Sequence, residues 1–232
     1  MTEAVVTIVD SYREFPPPLE WRHAVFCLWE QRVVADRIQR VLPDGHADLL
    51  IHDSGLLEVV GLSDEVALPH LPAGTQLRGV RLRPEAVASV LRIDAASLRN
   101  RTVTADDVLG SRRARSLSDP HALDSWLRSV RPDGLATAAV RLLTSHSVSG
   151  TADQLGLSAR QLQRVMATTT GLTPKAFQRV ARLQRFLRDA ECGASLATAA
   201  AVAGYADQSH LTREVRALSG LTPAQLLTER SA

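Results

Sequence analysis

Apolar and polar positions alternate in short runs over the first hundred residues, and Pro and Gly interrupt these runs. In the segment 47–52, Asp48, Leu50 and His52 lie on one side and the residues between them on the other, which is typical of a half-buried strand. Further strands are predicted for three similar runs, at 24–29, 56–60 and 76–82. We therefore expect a β-rich, barrel-like domain in this part of the chain.

The periodicity then becomes helical. Pro84 suits the first turn of a helix that continues to Leu91, and a second helix is expected around residues 95–99. Ser118, Asp119 and Pro120 begin another helix, with apolar residues at 123, 126, 127 and 130. A Pro-Asp-Gly turn at 132–134 then interrupts the pattern. We place a domain boundary here, between an N-terminal domain (1–130) with accessory helices and an all-helical C-terminal domain (131–232).

The C-terminal domain contains an internal repeat. A shift of 49 residues places LSARQLQRVMATTTGLTP (157–174) over ADQSHLTREVRALSGLTP (206–223), with six identities in 18 positions, the last four consecutive. Upstream the shift is 48, so the second copy has one extra turn residue. Such self-similarity indicates a duplicated supersecondary unit.

Each copy predicts two short helices joined by a turn that contains glycine, which is the helix-turn-helix pattern. Ser158 and Gln161 form a capping-box signature in the first copy, and Asp207 is the natural N-cap in the second. Both second helices end at a glycine, Gly171 or Gly220, and a Thr-Pro pair follows each of them to start the next helix.

Polar residues project from the N-terminal part of each second helix, because the helical period turns Leu162 and Leu211 inward. Arg, Gln, Ser and His side chains bind base edges in the major groove, which a recognition helix enters by its N-terminal end. The residues predicted to contact DNA are Arg160, Gln161, Gln163, Arg164, Gln208, Ser209, His210, Thr212 and Arg213. A capping role is the alternative for Gln161, and a solvated surface role is the alternative for Arg164 and Arg213.

A single helix is predicted from residue 173 to about residue 191, with Phe177, Val180, Leu183 and Leu187 along its apolar side. At 1.5 Å per residue it spans roughly 25 Å. Two recognition helices joined by such a rod can enter successive major grooves, about 34 Å apart, on one face of a bent duplex.

The second copy, AAVAGYADQSHLTREVRALSGLTPAQL, combines an alanine-rich helix, a GY turn, D-Q-S-x-L-x-R and a G-x-T-P ending. With this pattern, residues 135–228 resemble the double helix-turn-helix domain of the AraC family of bacterial transcription regulators. The resemblance implies that Arg160, Gln163 and Arg164, together with Gln208, Ser209, His210 and Arg213, face bases or nearby phosphates. Leu211 and Val215 stand where the family usually has phenylalanine, and Ala217 stands where a basic residue is common.

The runs RVLPDGHADLLIHDSG and GVRLRPEAVASVLRIDAASLRNRTVTADDVLG resemble the β-rich domain that precedes the DNA-binding domain in one branch of this family. The resemblance implies double-stranded promoter or operator DNA as a partner, with a small-molecule effector or a homodimer for the N-terminal domain. RNA polymerase is a further expected partner if the protein is an activator. Among Trp21, Trp29 and Trp126 we select Trp29 for an effector pocket, with core packing as the alternative.

Charge supports a polyanion partner for the C-terminal domain alone. Residues 1–130 carry 15 basic and 18 acidic side chains, whereas residues 131–232 carry 12 basic and 7 acidic ones, although the whole chain has a net charge of only +2. The composition, 45% hydrophobic and 22% charged, favours a folded globular protein over a disordered or fibrous one. An acidic N-terminus and the lack of a long apolar run favour a cytoplasmic protein without a membrane partner.

Enzyme and metal chemistry have little support in the sequence, and we expect neither a catalytic residue nor a cofactor. Cys27 and Cys192 lie far apart without a CxxC spacing, which disfavours a disulfide or a cysteine-built zinc site. His46, His52 and His70 match no metal-site template. Asp44, Asp48 and Asp53 could be the paired carboxylates of a hydrolase, but turn and strand roles explain them more simply.

Three classes of function remain for comparison. The leading hypothesis is a sequence-specific DNA-binding transcription regulator that its N-terminal domain modulates. A DNA-repair methyl acceptor would need an activated thiolate, usually among several metal-bound cysteines, and Cys27 stands alone in its domain. A ligand-binding or protein-interaction module with a weak or vestigial DNA-binding domain is the third class, and it predicts no specific retardation of DNA.

Overall fold

A computed structural model describes residues 10–117 and 119–231, with the side chain of residue 231 excepted. Eight strands lie within residues 10–117, as far as the structure describes them. In chain order they are β1 (Ser11–Phe15), β2 (Val25–Arg32), β3 (Arg37–Ile38), β4 (Ala47–His52), β5 (Leu57–Val60), β6 (His70–Leu71), β7 (Gln76–Leu82) and β8 (Thr102–Thr104). The three strands β2, β4 and β7 are the longest, and they form the centre of the domain.

Six of these strands form one antiparallel sheet in the order β1-β2-β7-β4-β5-β8, and β3 pairs with β6 in a small second sheet. Among the described residues, β1 and β8 form the edges of an open sheet. Alternation assigns Leu49, Val59 and Val80 to the face that packs on the helices, and Cys27 and Trp29 to a smaller cluster on the other face. This agrees with the two faces predicted for 47–52.

Most of the other regular structure among the described residues is α-helical. They are α1 (Val87–Leu91), α2 (Ala105–Leu109), α3 (Ser111–Leu117), α4 (Pro120–Ser129), α5 (Gly134–Leu143), α6 (Val148–Gln154), α7 (Ala159–Thr170), α8 (Pro174–Glu191), α9 (Leu196–Ala203), α10 (Gln208–Ser219) and α11 (Pro223–Ser231). Short 3-10 helices lie at Leu19–Trp21, Pro84–Ala86 and Ala95–Leu98. A β-rich half is thus followed by a helical half, and the predicted α+β class is confirmed.

One continuous apolar core joins the two halves, from Trp21 in the first to Leu226 near the end of the second. The core crosses the predicted boundary because α7 packs against α1 and against the 3-10 helices at 84–86 and 95–98. Burial of this kind removes apolar surface from water at about 25 cal/mol per Å². The two halves therefore stabilise each other, and the boundary near residue 130 stays a prediction.

Most predicted elements are present, and the exceptions are short. The helix at 84–91 begins as a 3-10 turn, and the one at 95–99 is 3-10 throughout. Strands β1, β3, β6 and β8 were not predicted from the pattern, nor were α2 and α3. Asp119 is the N-cap of α4, accepting a hydrogen bond from the backbone N–H of Ala122, while Ser118 lies outside the described residues.

Across the described ranges, no helix is long and apolar enough to cross a lipid bilayer.

Candidate nucleic-acid interface

The first helix-turn-helix unit consists of α6 and α7, and its turn places α7 through a capping box. Ser158 accepts from the backbone N–H of Gln161, and the side-chain oxygen of Gln161 accepts from the backbone N–H of Ser158 at 2.8 Å. Both bonds satisfy donors that a helix start otherwise leaves free. The predicted cap is therefore present, and the Gln161 oxygen is committed to it.

The second unit consists of α9 and α10. Asp207 caps α10 by accepting from the backbone N–H of His210 at 2.7 Å. A left-handed glycine precedes each cap, Gly156 by two residues and Gly204 by three. The extra residue of the second copy thus lies in its turn, in agreement with the change of shift in the repeat.

The two recognition helices end in the same way. In α7, Thr170 donates to the carbonyl of Met166 and accepts from the N–H of Leu172. In α10, Ser219 makes the equivalent pair of bonds, to Val215 and Leu221. These buried hydroxyls occupy matching repeat positions, so the duplication extends to residues that are not identical.

Seven of the nine residues predicted to contact DNA are exposed on the N-terminal halves of α7 and α10. They are Arg160, Gln161, Gln163, Arg164, Gln208, Ser209 and Arg213. In residues 10–117 and 119–230, the guanidinium groups of Arg160, Arg164 and Arg213 have no hydrogen-bonded or ionic partner. Arginine donors with this freedom remain available to carboxylates, phosphates or guanine edges.

The other two predicted residues are half-buried. Thr212 donates its hydroxyl proton to the carbonyl of Gln208. The Nδ1 atom of His210 accepts from the backbone N–H of Ala206, and its Nε2 atom lies 3.2 Å from Arg182 and 3.6 Å from Glu214. The ring of His210 is thus occupied inside the protein, while its proposed contact with a base stays a prediction.

A group of five side chains, called here the Glu214 cluster, joins α10 to α8 and to the turn before α10. Its members are Arg179, Arg182, Tyr205, His210 and Glu214. The carboxylate of Glu214 is 9% exposed and lies 3.4 Å from Arg179 and 3.3 Å from Arg182. Arg182 also stacks over the ring of Tyr205, which meets His210 edge to face.

The Glu214 cluster was missed at the level of sequence. Burial and the nearby negative charge of Glu214 raise the pKa of Tyr205 above its ordinary value, so the phenol stays neutral. The i,i+4 spacing of His210 and Glu214 was a detectable signal. The two arginines belong to the predicted linker helix, but periodicity alone does not show which neighbour they meet.

Trp29 is largely buried, and it does not line the cavity between the two halves of the protein. Its indole N–H donates to Asp48 at 2.7 Å, and its ring covers Gly79, where a Cβ atom would clash with it. That cavity has a volume of about 420 Å³, and Phe26, His46, Arg83, Arg141 and Phe177 are among its lining residues. The effector role of Trp29 stays untested, and packing explains its position.

Two of the three histidines considered for a metal site make hydrogen bonds within the protein, and Cys27, considered for methyl transfer, is buried. His46 lies 3.1 Å from the carbonyl of Leu82, and His52 lies 2.6 Å from a carboxylate oxygen of Glu58. No group of three or more metal-ligating side chains occurs within the described ranges. Burial raises the pKa of Cys27 to about 11, which is the opposite of an activated thiolate.

Comparison with known proteins identifies the domain that carries this surface. Residues 151–229 match a family described as "Helix-turn-helix domain", and residues 13–104 match one described as "Domain of unknown function (DUF6597)". Over 92 residues the chain is 36% identical to the bifunctional transcriptional activator/DNA repair enzyme Ada of Escherichia coli strain K12. Residues 151–229 are therefore a helix-turn-helix domain, similar to the domain found in AraC-type proteins.

The match with Ada covers 38% of the chain and 26% of Ada, so the chain spans about a quarter of that relative. Two solved structures of ToxT from Vibrio cholerae are also similar. One has a TM-score of 0.42 at 10% identity and covers 94% of this chain and 98% of its own. The other, from strain O395, has a TM-score of 0.40 at 11% identity and covers 85% and 90%.

Proposed function

We propose that this protein is a sequence-specific transcription regulator that inserts α7 and α10 into adjacent major grooves of double-stranded DNA. The observation that carries the proposal is the pair Arg164 and Arg213. They occupy matching repeat positions, both are exposed near the N-terminal ends of their helices, and neither has a partner among the described residues. Arginine in this position binds guanine or phosphate in helix-turn-helix complexes.

The linker helix supports binding by both units at once. Helix α8 has 18 residues and is about 27 Å long, somewhat less than the 34 Å between successive major grooves. Helices α7 and α10 do not form a packed pair with each other, and each contacts α8 instead. A duplex that bends toward the protein would bring the two grooves within reach of the two helices.

The N-terminal domain is proposed to modulate this binding, because its helical segment at 84–98 packs directly against α7. The cavity between the two halves has walls from both, including Phe26 on one side and Phe177 on the other. A small-molecule effector bound there would contact both domains. Effector binding would then be linked to the position of α7 by differential contacts in two states.

The test is a selection of duplexes from a random library by the full chain, followed by affinity measurements with single variants. Arg164→Ala and Arg213→Ala are each expected to weaken binding to the selected duplex by about 5- to 150-fold, the effect of one lost bidentate base contact. Arg13→Ala is the matched control, since Arg13 is an exposed arginine on β1. It should change the affinity by less than about twofold.

Two outcomes would contradict the proposal. If Arg164→Ala and Arg213→Ala bind the selected duplex as tightly as the natural chain, the assigned recognition helices are wrong. If the natural chain enriches no sequence at all, the protein is better described as a ligand-binding or interaction module. Affinity that falls steeply with salt would show phosphate contacts but not sequence recognition, so both measurements are needed.

A further inference from the structure

Arg40, in the N-terminal domain between β3 and β4, contacts the end of the second recognition helix. One terminal nitrogen of its guanidinium donates to the backbone carbonyl of Ser219 at 2.7 Å, and its Nε donates to Glu229 at 2.9 Å. Its side chain is only 20% exposed. The first contact joins the β-rich domain to α10, and the second joins it to α11.

The contact with Ser219 acts as a helix cap supplied by another domain. The last four carbonyls of a helix lack intrahelical partners, and the C-terminal end of the helix carries partial negative charge. Ser219 is the last residue of α10, and the residue after it, Gly220, has a left-handed backbone. The positive charge of Arg40 is therefore placed where it stabilises both the free carbonyl and the helix dipole.

The C-terminal end of the first recognition helix also lies against the N-terminal domain. A Cβ atom at Gly171 would lie 2.9 Å from the carbonyl oxygen of Ala95, in the 3-10 helix that Asp94 caps. The two recognition helices thus contact the N-terminal domain at corresponding positions. Both helices meet the N-terminal domain at their C-terminal ends, and the residues proposed to contact DNA lie in their N-terminal halves.

We propose that Arg40 is a positioning residue that fixes α10 relative to α7, so that the two recognition helices are held ready for one duplex. This inference rests on the proposed function for its DNA readout. Without Arg40, each unit can still bind its own groove, but the two must be brought into register on binding. Preorganisation of this kind raises affinity only when both units bind together.

The experiment compares Arg40→Ala with the unsubstituted chain in two assays. The first is hydrogen exchange of the free protein, in which the amides around residues 218–221 should exchange about tenfold faster in the variant, because the cap is lost. The second uses the selected duplex and a copy in which the sequence of one of the two proposed major-groove sites is scrambled. Binding to the intact duplex should weaken about five- to tenfold, at the low end of usual coupling factors, and binding to the scrambled copy by less than about twofold.

Three control variants separate positioning from charge. Glu229→Gln removes the ion pair but keeps the bond to Ser219, and it should behave like the natural chain. Arg40→Lys keeps the charge and one donor, and it should restore part of the difference between the two duplexes. Arg13→Ala removes an exposed arginine of the same domain and should leave the exchange rates unchanged.

The outcomes are distinguishable. Unchanged exchange around residues 218–221 in Arg40→Ala would overturn the positioning role, whatever the DNA result. Faster exchange with equal weakening on both duplexes would also overturn it, since Arg40 would then act as a general cation. Failure of the natural chain to enrich any duplex would overturn the proposed function, and the exchange assay would still decide whether Arg40 fixes α10.

Discussion

The two helix-turn-helix units are built from one repeated pattern but are attached to the protein in different ways. Helix α7 packs on α1 and the short helices at 84–86 and 95–98, largely through apolar contacts. Helix α10 also buries apolar residues in the core, and the Glu214 cluster on α8 and the guanidinium of Arg40 add polar contacts to it. At matching repeat positions the first unit has Val165 and the second has Glu214, so the ion pairs of Glu214 have no counterpart in α7.

This comparison shows that local shape and attachment are specified separately. The shared glycines, caps and Thr-Pro pairs give both units the same helix ends. Positions that differ between the copies determine what each helix contacts. Helix α7 contacts α1 and the short helices at 84–98, whereas Glu214 of α10 contacts two arginines of α8. Since apolar burial at a packed surface stabilises more than ion pairs whose arginines are partly exposed, we expect the second unit to be attached less strongly than the first.

The largest expected effect comes from the matched core leucines. Leu162 and Leu211 are both buried almost completely, so Leu162→Ala and Leu211→Ala should each lower the free energy of unfolding by about 3 to 4 kcal/mol. The two substitutions should destabilise different parts of the protein. Leu162→Ala should lower the stability of the whole chain, whereas Leu211→Ala should first increase hydrogen exchange in residues 196–226. Chemical denaturation with exchange measurements checks both statements.

The comparison would be contradicted if both substitutions increased hydrogen exchange in the same regions of the protein. If Leu211→Ala accelerates exchange throughout β2, β4 and β7 as much as Leu162→Ala does, both units are coupled to the sheet with similar strength. Leu135→Ala is the control for a leucine in the same domain at an exposed position. It should change the stability by less than about 0.5 kcal/mol.

A smaller effect is expected at the glycines that end α7 and α10. Alanine is strained at both, because Gly171 and Gly220 have φ values of +90° and +77°. At Gly171 the added Cβ would also meet the backbone carbonyl of Ala95 at 2.9 Å, whereas at Gly220 it would make an ordinary contact of 3.5 Å with a terminal nitrogen of Arg40. Gly171→Ala should cost about 2 to 3 kcal/mol and Gly220→Ala about 1 kcal/mol in unfolding experiments.

Gly156→Ala calibrates the strain alone. Its φ is +65°, and an added Cβ would have nothing within 4 Å among the described residues. It should therefore cost the same as Gly220→Ala, about 1 kcal/mol. If Gly171→Ala costs no more than Gly156→Ala, the contact between α7 and the 95–98 helix yields easily, and the N-terminal domain has less influence on the first unit than its packing indicates.

Local signals explain why so much of the fold was predictable. The caps Ser158 and Asp207, the glycines after each recognition helix and the Thr-Pro starts are set by backbone groups within a few residues, so the sequence shows them directly. The strands β3 and β6 have two residues each, and α2 and α3 have five and seven, too few for a period to be visible. Their positions depend on distant neighbours.

The exposed residues of the candidate site were predictable from the sequence, but the contacts that position the recognition helices were not. Exposure of Arg164 and Arg213 follows from the helical period, which is a local property. His210 was predicted to face outward by the same period, but Arg182 and Glu214 draw its ring toward α8. Arg40 lies 179 residues before Ser219, and no local pattern in a single sequence reports such a pair.

An effect smaller than that of Gly171→Ala tests the comparison most directly, by giving the second unit a residue of the first. Glu214→Val places at position 214 the residue type found at the matching position 165. Arg179 and Arg182 would lose their buried counter-charge, and α10 would lose its ionic attachment to α8. Both arginines are partly exposed and regain water, so the expected loss of stability is about 1 to 2 kcal/mol rather than that of a fully buried pair.

Salt and a charge-neutral isostere decide whether this loss is electrostatic. The stability difference between the natural chain and Glu214→Val should shrink at high salt, because screening weakens the pairs that only the natural chain has. Glu214→Gln keeps the shape and should reproduce most of the loss at low salt. A loss from Glu214→Val that is independent of salt and absent in Glu214→Gln would show that packing, not charge, attaches α10. The two units would then differ in sequence but not in the physics of their attachment.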